Sequence, residues 1–154
     1  MSYEEINKQL EPFKLMVFDE GTEDVWATLV LWLNEDYKQK VFDTRQKEGF
    51  VGNGYDWNSL ATVFLEEKMP ELMEVLSFDS EAGLFSIGSE DVESVKKFAI
   101  GFKALCDDES EMTDLFSRAI LNLKNEVIPY KVSLHFFIYR DKLLNGRLPY
   151  QLIA

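Results

Sequence analysis

FVGNGYDWNSLATVFL, Phe50 to Leu65, is the stretch whose reading decides the fold. Gly52-Asn53-Gly54 breaks the backbone, because Gly and Asn adopt positive φ at low cost. Asp56 is placed to cap a helix, its carboxylate accepting from the free N–H groups of the next turn. Trp57, Leu60, Ala61, Phe64 and Leu65 then recur at i, i+3, i+4, i+7 and i+8, one face of a helix. A sharp loop with Tyr55 at its lip therefore feeds a capped amphipathic helix. Trp57 opens the apolar stripe and reads as core; Tyr55 is the freer aromatic.

Outward from there toward the N-terminus, Ser2 to Leu10 reads as a short helix capped by Ser2, with Glu4 and Glu5 suiting the dipole. Pro12 ends it, and Phe13 to Phe18 alternates as a strand. Gly21 sits in a polar turn, GTED. Val25 to Leu33 is apolar on both sides, with Trp26, Val30 and Trp32 on one and Ala27, Leu29, Leu31 and Leu33 on the other. This fits a strand buried mid-sheet, with both tryptophans in the core; a buried helix also fits the run. Asn34 to Gly49 (NEDYKQKVFDTRQKEG) has the spacing of a surface helix, with Tyr37, Val41 and Phe42 inward and Gly49 at its end.

Toward the C-terminus, Met69-Pro70 restarts a helix with Leu72, Met73 and Leu76 inward, since Pro is tolerated at a first helical position. Asp79 to Gly83 is a turn and Leu84 to Ile87 a short strand. Ser89 or Asp91 caps a helix carrying Val92, Val95, Phe98, Ala99, Phe102 and Leu105 on one face, with Cys106 beside them. Asp107 to Glu111 reads as an acidic loop. Ser110 begins a helix with Met112, Leu115, Phe116, Ala119 and Leu123 inward. Pro129 breaks the chain, Tyr130 to Tyr139 alternates as a half-buried strand, and Asn145-Gly146 fits a hairpin turn or a helix C-cap. The order does not alternate strand and helix. It predicts an α+β fold with a small, mostly antiparallel sheet covered on one side by amphipathic helices. No repeat or linker divides residues 1–154, so one domain is expected.

Hydrophobic residues make up 46% and aromatics 14%, a composition that supports a packed core. The formal charge of −12 disfavours nucleic acid and anionic membrane as partners, because both require Lys and Arg. It favours a basic partner or simply solubility. The longest apolar run, from Trp26 to Leu33, is too short to span a bilayer. A single cysteine and an acidic start without a secretory pattern point to the cytoplasm.

The inventory for catalysis is thin. His135, the single histidine, sits in the alternating segment, and no GxSxG elbow or cysteine signature accompanies it. One His and one Cys cannot close a zinc site, and Asp107 to Glu111 lacks the order of a calcium loop. Gly52-Asn53-Gly54 is not a phosphate cradle. No catalytic residue, cofactor or metal ligand is assigned, and no enzymatic activity is expected. What stands out is a surface: Asn53, Tyr55 and Asp56 at the loop, Asp79 and Glu81 in the turn, and Asp107, Asp108 and Glu109. Tyrosine and tryptophan beside a carboxylate suit an interface, and acidic clusters suit a basic partner.

GNGYDWNSLATVFLEEKMPEL (residues 52–72), FDSEAGLFSI (78–87) and DLFSRA (114–119), in that order, resemble the immunity protein 51 family of bacterial polymorphic toxin systems. The resemblance covers about residues 50–119; residues 120–154 are an unmatched extension. It implies stoichiometric binding of a cognate secreted toxin domain that protects the producing cell, by a monomer or weak homodimer. With the charge, it implies an acidic surface that blocks a basic active site, such as that of a nuclease. The alternative classes are a small-molecule-binding or regulatory module, a carboxylate hydrolase, and a self-associating scaffold.

Overall fold

A computed structural model describes residues 1–121. The expectations at Leu123, Pro129, Tyr130 to Tyr139, His135 and Asn145-Gly146 lie outside the described residues.

Four strands, β1 (Lys14–Phe18), β2 (Trp26–Trp32), β3 (Ser77–Phe78) and β4 (Leu84–Ser89), form one antiparallel sheet in the order β1-β2-β4-β3. The apolar run around Val30 is thus a mid-sheet strand and not a buried helix. Its register places Leu29 opposite Leu15 on one side and Ile87 on the other. Ala27, Leu29 and Leu31 therefore share a face with Leu15, Phe85 and Ile87, and all six are buried. On the free edge of β1 the amide of Asn7 accepts from Leu15 N–H at 2.7 Å and donates to Leu15 C=O at 3.0 Å. One side chain thereby blunts an edge that another chain could extend.

The helices are α1 (Tyr3–Leu10), α2 (Gln39–Asp43), α3 (Gly54–Lys68), α4 (Val92–Asp107) and α5 (Glu109–Phe116). Ser2 and Glu5 close a capping box on α1. Asp91 caps α4 by accepting from Ser94 N–H, and the predicted stripe of α4 is buried from Val95 to Cys106. Against the sheet lie α1, α3 and α4, while α5 packs on α3 and α4. Enclosed on several sides, α3 is buried almost all round, including Asn58, Ser59 and Thr62, where the sequence predicted a single stripe.

Four expectations are corrected. Trp26 and Trp32 do share a face, but it is the one turned away from the helices, and they are 41% and 50% exposed. Apolarity marked the residues and could not say which side the helices take; the close-packed side is the one with Ala27 and Leu29. Asn34 to Gly49 is not one helix but α2 and a 3-10 turn, Gln46–Glu48, because Lys38 enters at positive φ without a side-chain cap. Pro70 does start a turn, yet only the 3-10 segment Pro70–Leu72 follows. Asp107 to Glu111 is no loop: Asp108 alone separates α4 from α5, and its carboxylate caps α5 by accepting from Glu111 N–H.

The interior is largely aromatic. Phe102 is fully buried and lies within 5.0–6.1 Å, centroid to centroid, of Phe13, Trp57, Phe64, Phe85 and Phe98. Truncation there removes a ring from sheet, α3 and α4 at once. Phe102→Ala should destabilise the protein by about 3–5 kcal/mol in urea unfolding, against less than about 0.5 kcal/mol for Ile100→Ala on the exposed face of α4.

Candidate partner-binding site

The start of α3 is built by close approach. Gly52 takes φ +84° and Asn53 is the N-cap, its Oδ1 accepting from Asp56 N–H at 2.9 Å. This corrects the expected cap, because Asp56 stands one turn too late. Its carboxylate turns back instead and accepts from Val51 N–H at 2.7 Å and Gly52 N–H at 2.8 Å, at 2% exposure. Asp56 thus holds the loop in shape, while Asn53 and Tyr55 remain half-buried at the surface.

Gly54 donates its N–H to Ala82 C=O at 3.0 Å, which clamps α3 onto the turn between β3 and β4. A Cβ at Gly54 would stand 1.9 Å from the Glu81 carbonyl oxygen and 2.4 Å from that of Leu84. Below this contact the Ser80 hydroxyl donates to Asn58 Oδ1 at 2.6 Å and accepts from Ser86 N–H at 2.9 Å, all buried. The structure therefore joins two groups predicted separately: Asn53, Tyr55 and Asp56 lie against the turn bearing Asp79 and Glu81. Both of those carboxylates are exposed and form no ion pair within the described residues.

Asp107, Asp108 and Glu109 stand beside the segment that follows β2. Leu33 N–H reaches Gly83 C=O, and the chain then runs to Tyr37, which stacks on Trp57 at 6.0 Å and borders Cys106. Asp107 pairs with Lys103, Asp108 caps α5, and Glu109 lies 3.9 Å from Lys38. Asp36, Tyr37, Lys38, Gln39, Lys40 and Glu109 line an open depression of 380 Å³ with a mixed polar surface. Beneath it, burial pushes the Cys106 thiol up to about 12, with Lys38 and Lys103 opposing. Burial first, then Cys106 and Asp107, drives the Tyr37 phenol upward as well. Both groups are neutral at physiological pH, so the thiol is packing and not a nucleophile.

Against known proteins, the model of the family described as immunity protein 51 matches residues 20–121. The chain belongs to the immunity protein 51 family. No curated protein and no solved structure matches it. The three strings that carry the family resemblance turn out to be joined inside the immunity protein. GNGYDW and FDSEAG meet at Gly54–Ala82. DLFSRA is held by a residue that sequence reasoning passed over, Arg45. Its Nη1 donates to the Phe116 and Ala119 carbonyls at 2.6 and 2.7 Å, while its Nε and Nη2 engage Glu48 at 2.8 and 2.9 Å. The guanidinium also lies 4.5 Å over the Phe50 ring. A planar, five-donor group can do all of this at once. The sequence leaves little trace of this: Arg45 stands among polar residues in DTRQKE and reads as one more surface charge.

Three outcomes test this part of the structure. Gly54→Ala should lower stability by about 2–3 kcal/mol or prevent folding, since main-chain oxygens cannot retreat as side chains do. Gly83→Ala, with nothing within 4 Å of its Cβ, should change little in the same urea titration. The second concerns alkaline pH. The folded chain keeps protons on Cys106 and Tyr37 that the unfolded chain releases near their ordinary values of 9.0 and 10.0. Their contribution is full below about pH 9 and is lost as pH rises toward 12. Unfolding free energy should fall over that window, and Cys106→Ala with Tyr37→Phe should flatten the fall. A disulfide reagent should leave Cys106 unmodified in the native protein at pH 8.

Proposed function

We propose that this chain binds a cognate secreted toxin domain and neutralises it without catalysis, setting an acidic surface against a basic active-site cleft. Membership of the immunity protein 51 family carries the reading. The acidic part follows from where the charge lies. Residues 122–154 hold five bases (Lys124, Lys131, Arg140, Lys142 and Arg147) and two acids (Glu126 and Asp141). The whole chain's −12 is therefore −15 over residues 1–121. Asp79 and Glu81 stand free beside Asn53 and Tyr55, and Asp107, Asp108 and Glu109 add a second acidic cluster; these residues make the toxin contacts. A nuclease is the toxin class that such a surface suits best, because a cleft built for phosphates is basic. The action takes place in the cytoplasm of the producing cell, and a single copy suffices.

The test is growth rescue. The C-terminal domain of the large secreted protein encoded beside this gene is expressed with and without this chain, and the pair is then purified. Toxicity should be cured by a one-to-one complex. Raising NaCl from 50 to 500 mM should weaken that complex by about tenfold or more, mainly through slower association. Affinity that ignores salt would remove the electrostatic mechanism and leave inhibition standing. Toxicity that this chain leaves untouched would point to a ligand-binding module.

A further inference from the structure

One face of the sheet carries helices; on the other, no element of the described residues packs. That outer face holds Trp26, Thr28, Val30 and Trp32 of β2, with Ser86 and Gly88 of β4 beside them in the register. An antiparallel sheet can leave one face to water along its whole length. Here only the ends are wet. Trp26 and Trp32 are 41% and 50% exposed, but between them Thr28 falls to 9%, Ser86 to 7% and Val30 to 4%. Neighbours on the sheet do not account for Val30. Across the strands it faces Lys14, which is exposed, and Ser86, whose side chain is too short to roof a valine. Among the described residues, every buried hydrophobic except Val30 belongs to the one core cluster. Its cover therefore comes from outside that core.

A single copy of the chain buries these positions, so the cover is the chain's own. Residues 122–154 are what remains of it beyond the described residues. We infer that residues 122–154 close the outer face of the sheet, with the apolar row of residues 130–139 laid over Thr28, Val30 and Ser86 between the two tryptophans. Reach allows it. Leu121 lies against Gly49, its Cδ2 3.1 Å from where a Cβ there would be. From that point residues 122–129 extend up to about 27 Å, enough to round the two layers of about 10 Å each between α5 and the outer face.

Pattern and charge agree with this occupant. Tyr130, Val132, Leu134, Phe136 and Ile138 make one row of an alternating segment, the form that packs on a sheet. The trough offered to it is lined by small side chains, and Trp26 and Trp32 stand about 20 Å apart along β2. Residues 122–154 hold five bases and two acids, a net charge of +3, against −15 for residues 1–121. The rim they meet is acidic at both ends, with Asp19, Glu20, Glu23 and Asp24 before Trp26 and Glu35 and Asp36 after Trp32, all exposed. A second copy would set two such rims against each other. Addition at a sheet edge is the poorer choice, because Asn7 occupies the β1 edge at Leu15 and β3 has two residues. The inference stands apart from the immunity reading, and it leaves the exposed acidic turns, not the sheet, for a partner.

The test uses the full chain in a Cys106→Ala background. Val30→Cys should react with a small thiol reagent about a hundredfold more slowly than Trp32→Cys. Leu134→Asp should raise the Val30→Cys rate by about tenfold or more with native circular dichroism kept, while Ser133→Asp, on the opposite row, should leave it unchanged. A nitroxide on Trp32→Cys should broaden the amide resonances of residues 130–139 in the same dilute chain. It should not do so when it is carried by isotopically unlabelled copies mixed with labelled ones. If Leu134→Asp unfolds the protein, the nitroxide result decides alone. Val30→Cys reacting as fast as Trp32→Cys would mean an open face and overturns the inference. Protection of Val30→Cys without broadening at 130–139 overturns it as well, and broadening in the mixed sample would put a second copy on the face instead.

Discussion

Where the first turn of α3 meets the turn between β3 and β4, the two backbones approach more closely than any side chain allows. A methyl group on Gly54 would lie 1.9 Å from a carbonyl oxygen. Around this contact the rest is fixed. Gly52 supplies the positive φ, Asn53 ends the loop, and Asp56 ties Val51 and Gly52 so that α3 starts at this point and not a residue away. A helix started one residue late would turn its side chains by about 100°. Trp57 would then leave the space between Phe13, Phe42, Tyr37 and Phe102 that it now fills. Register along α3 is thus set by backbone hydrogen bonds at its end, and the ring packing follows from it.

The aromatic interior explains how a sheet with a two-residue edge strand can organise a core. Rings run from Phe78 and Phe85 on the sheet through Trp57 and Phe102 to Phe42, Phe116 and Phe50 beyond α3. Most meet edge to face or tilted, the geometry that ring quadrupoles favour. Because α5 does not rest on the sheet, it needs its own anchor. Arg45 provides one by capturing the open carbonyls at its C-terminal end, where a cation also suits the helix dipole.

Much of this architecture was legible in the sequence, and the reasons are local. α1 and α4 carry their caps and stripes within a few residues, and a period of 3.6 sustained over the 16 residues of α4 has one reading. The α+β class followed from the order of elements. Asp56 was misread because a carboxylate near a helix start serves either as cap or as tether, and only the loop's path decides between them. The 34–49 segment failed because two buried residues, Val41 and Phe42, fix a single turn and the charged remainder follows Arg45 and Lys38 elsewhere. At the site, Asn53, Tyr55, Asp79 and Glu81 were found singly, but their adjacency depends on a contact across 28 residues, Gly54 to Ala82, that no pattern encodes. Trp26 and Trp32 were visible as residues and invisible as surface. Period 2 sorts side chains onto two faces without naming which is covered. The diagonal neighbours Thr28 and Ser86, whose hydroxyls meet, with Gly88 beneath Trp26, were the available hint, because a core face seldom seats two hydroxyls side by side.

The same distribution separates two jobs that one stretch of sequence was first expected to do together. Most residues that carry the family resemblance hold the fold by backbone contacts, buried hydroxyls and a captured helix end, while Asp79 and Glu81 among them keep exposed carboxylates. The acidic turns make few internal commitments. The side chains of Trp32, Glu35, Asp79 and Glu81 can change without reaching the Gly54 joint or the ring cluster, because the joint meets Glu81 only through its backbone carbonyl. A scaffold of this kind can vary what it binds while keeping how it folds. For a member of the immunity protein 51 family, that separation is a physical condition for changing what is bound at little cost in stability.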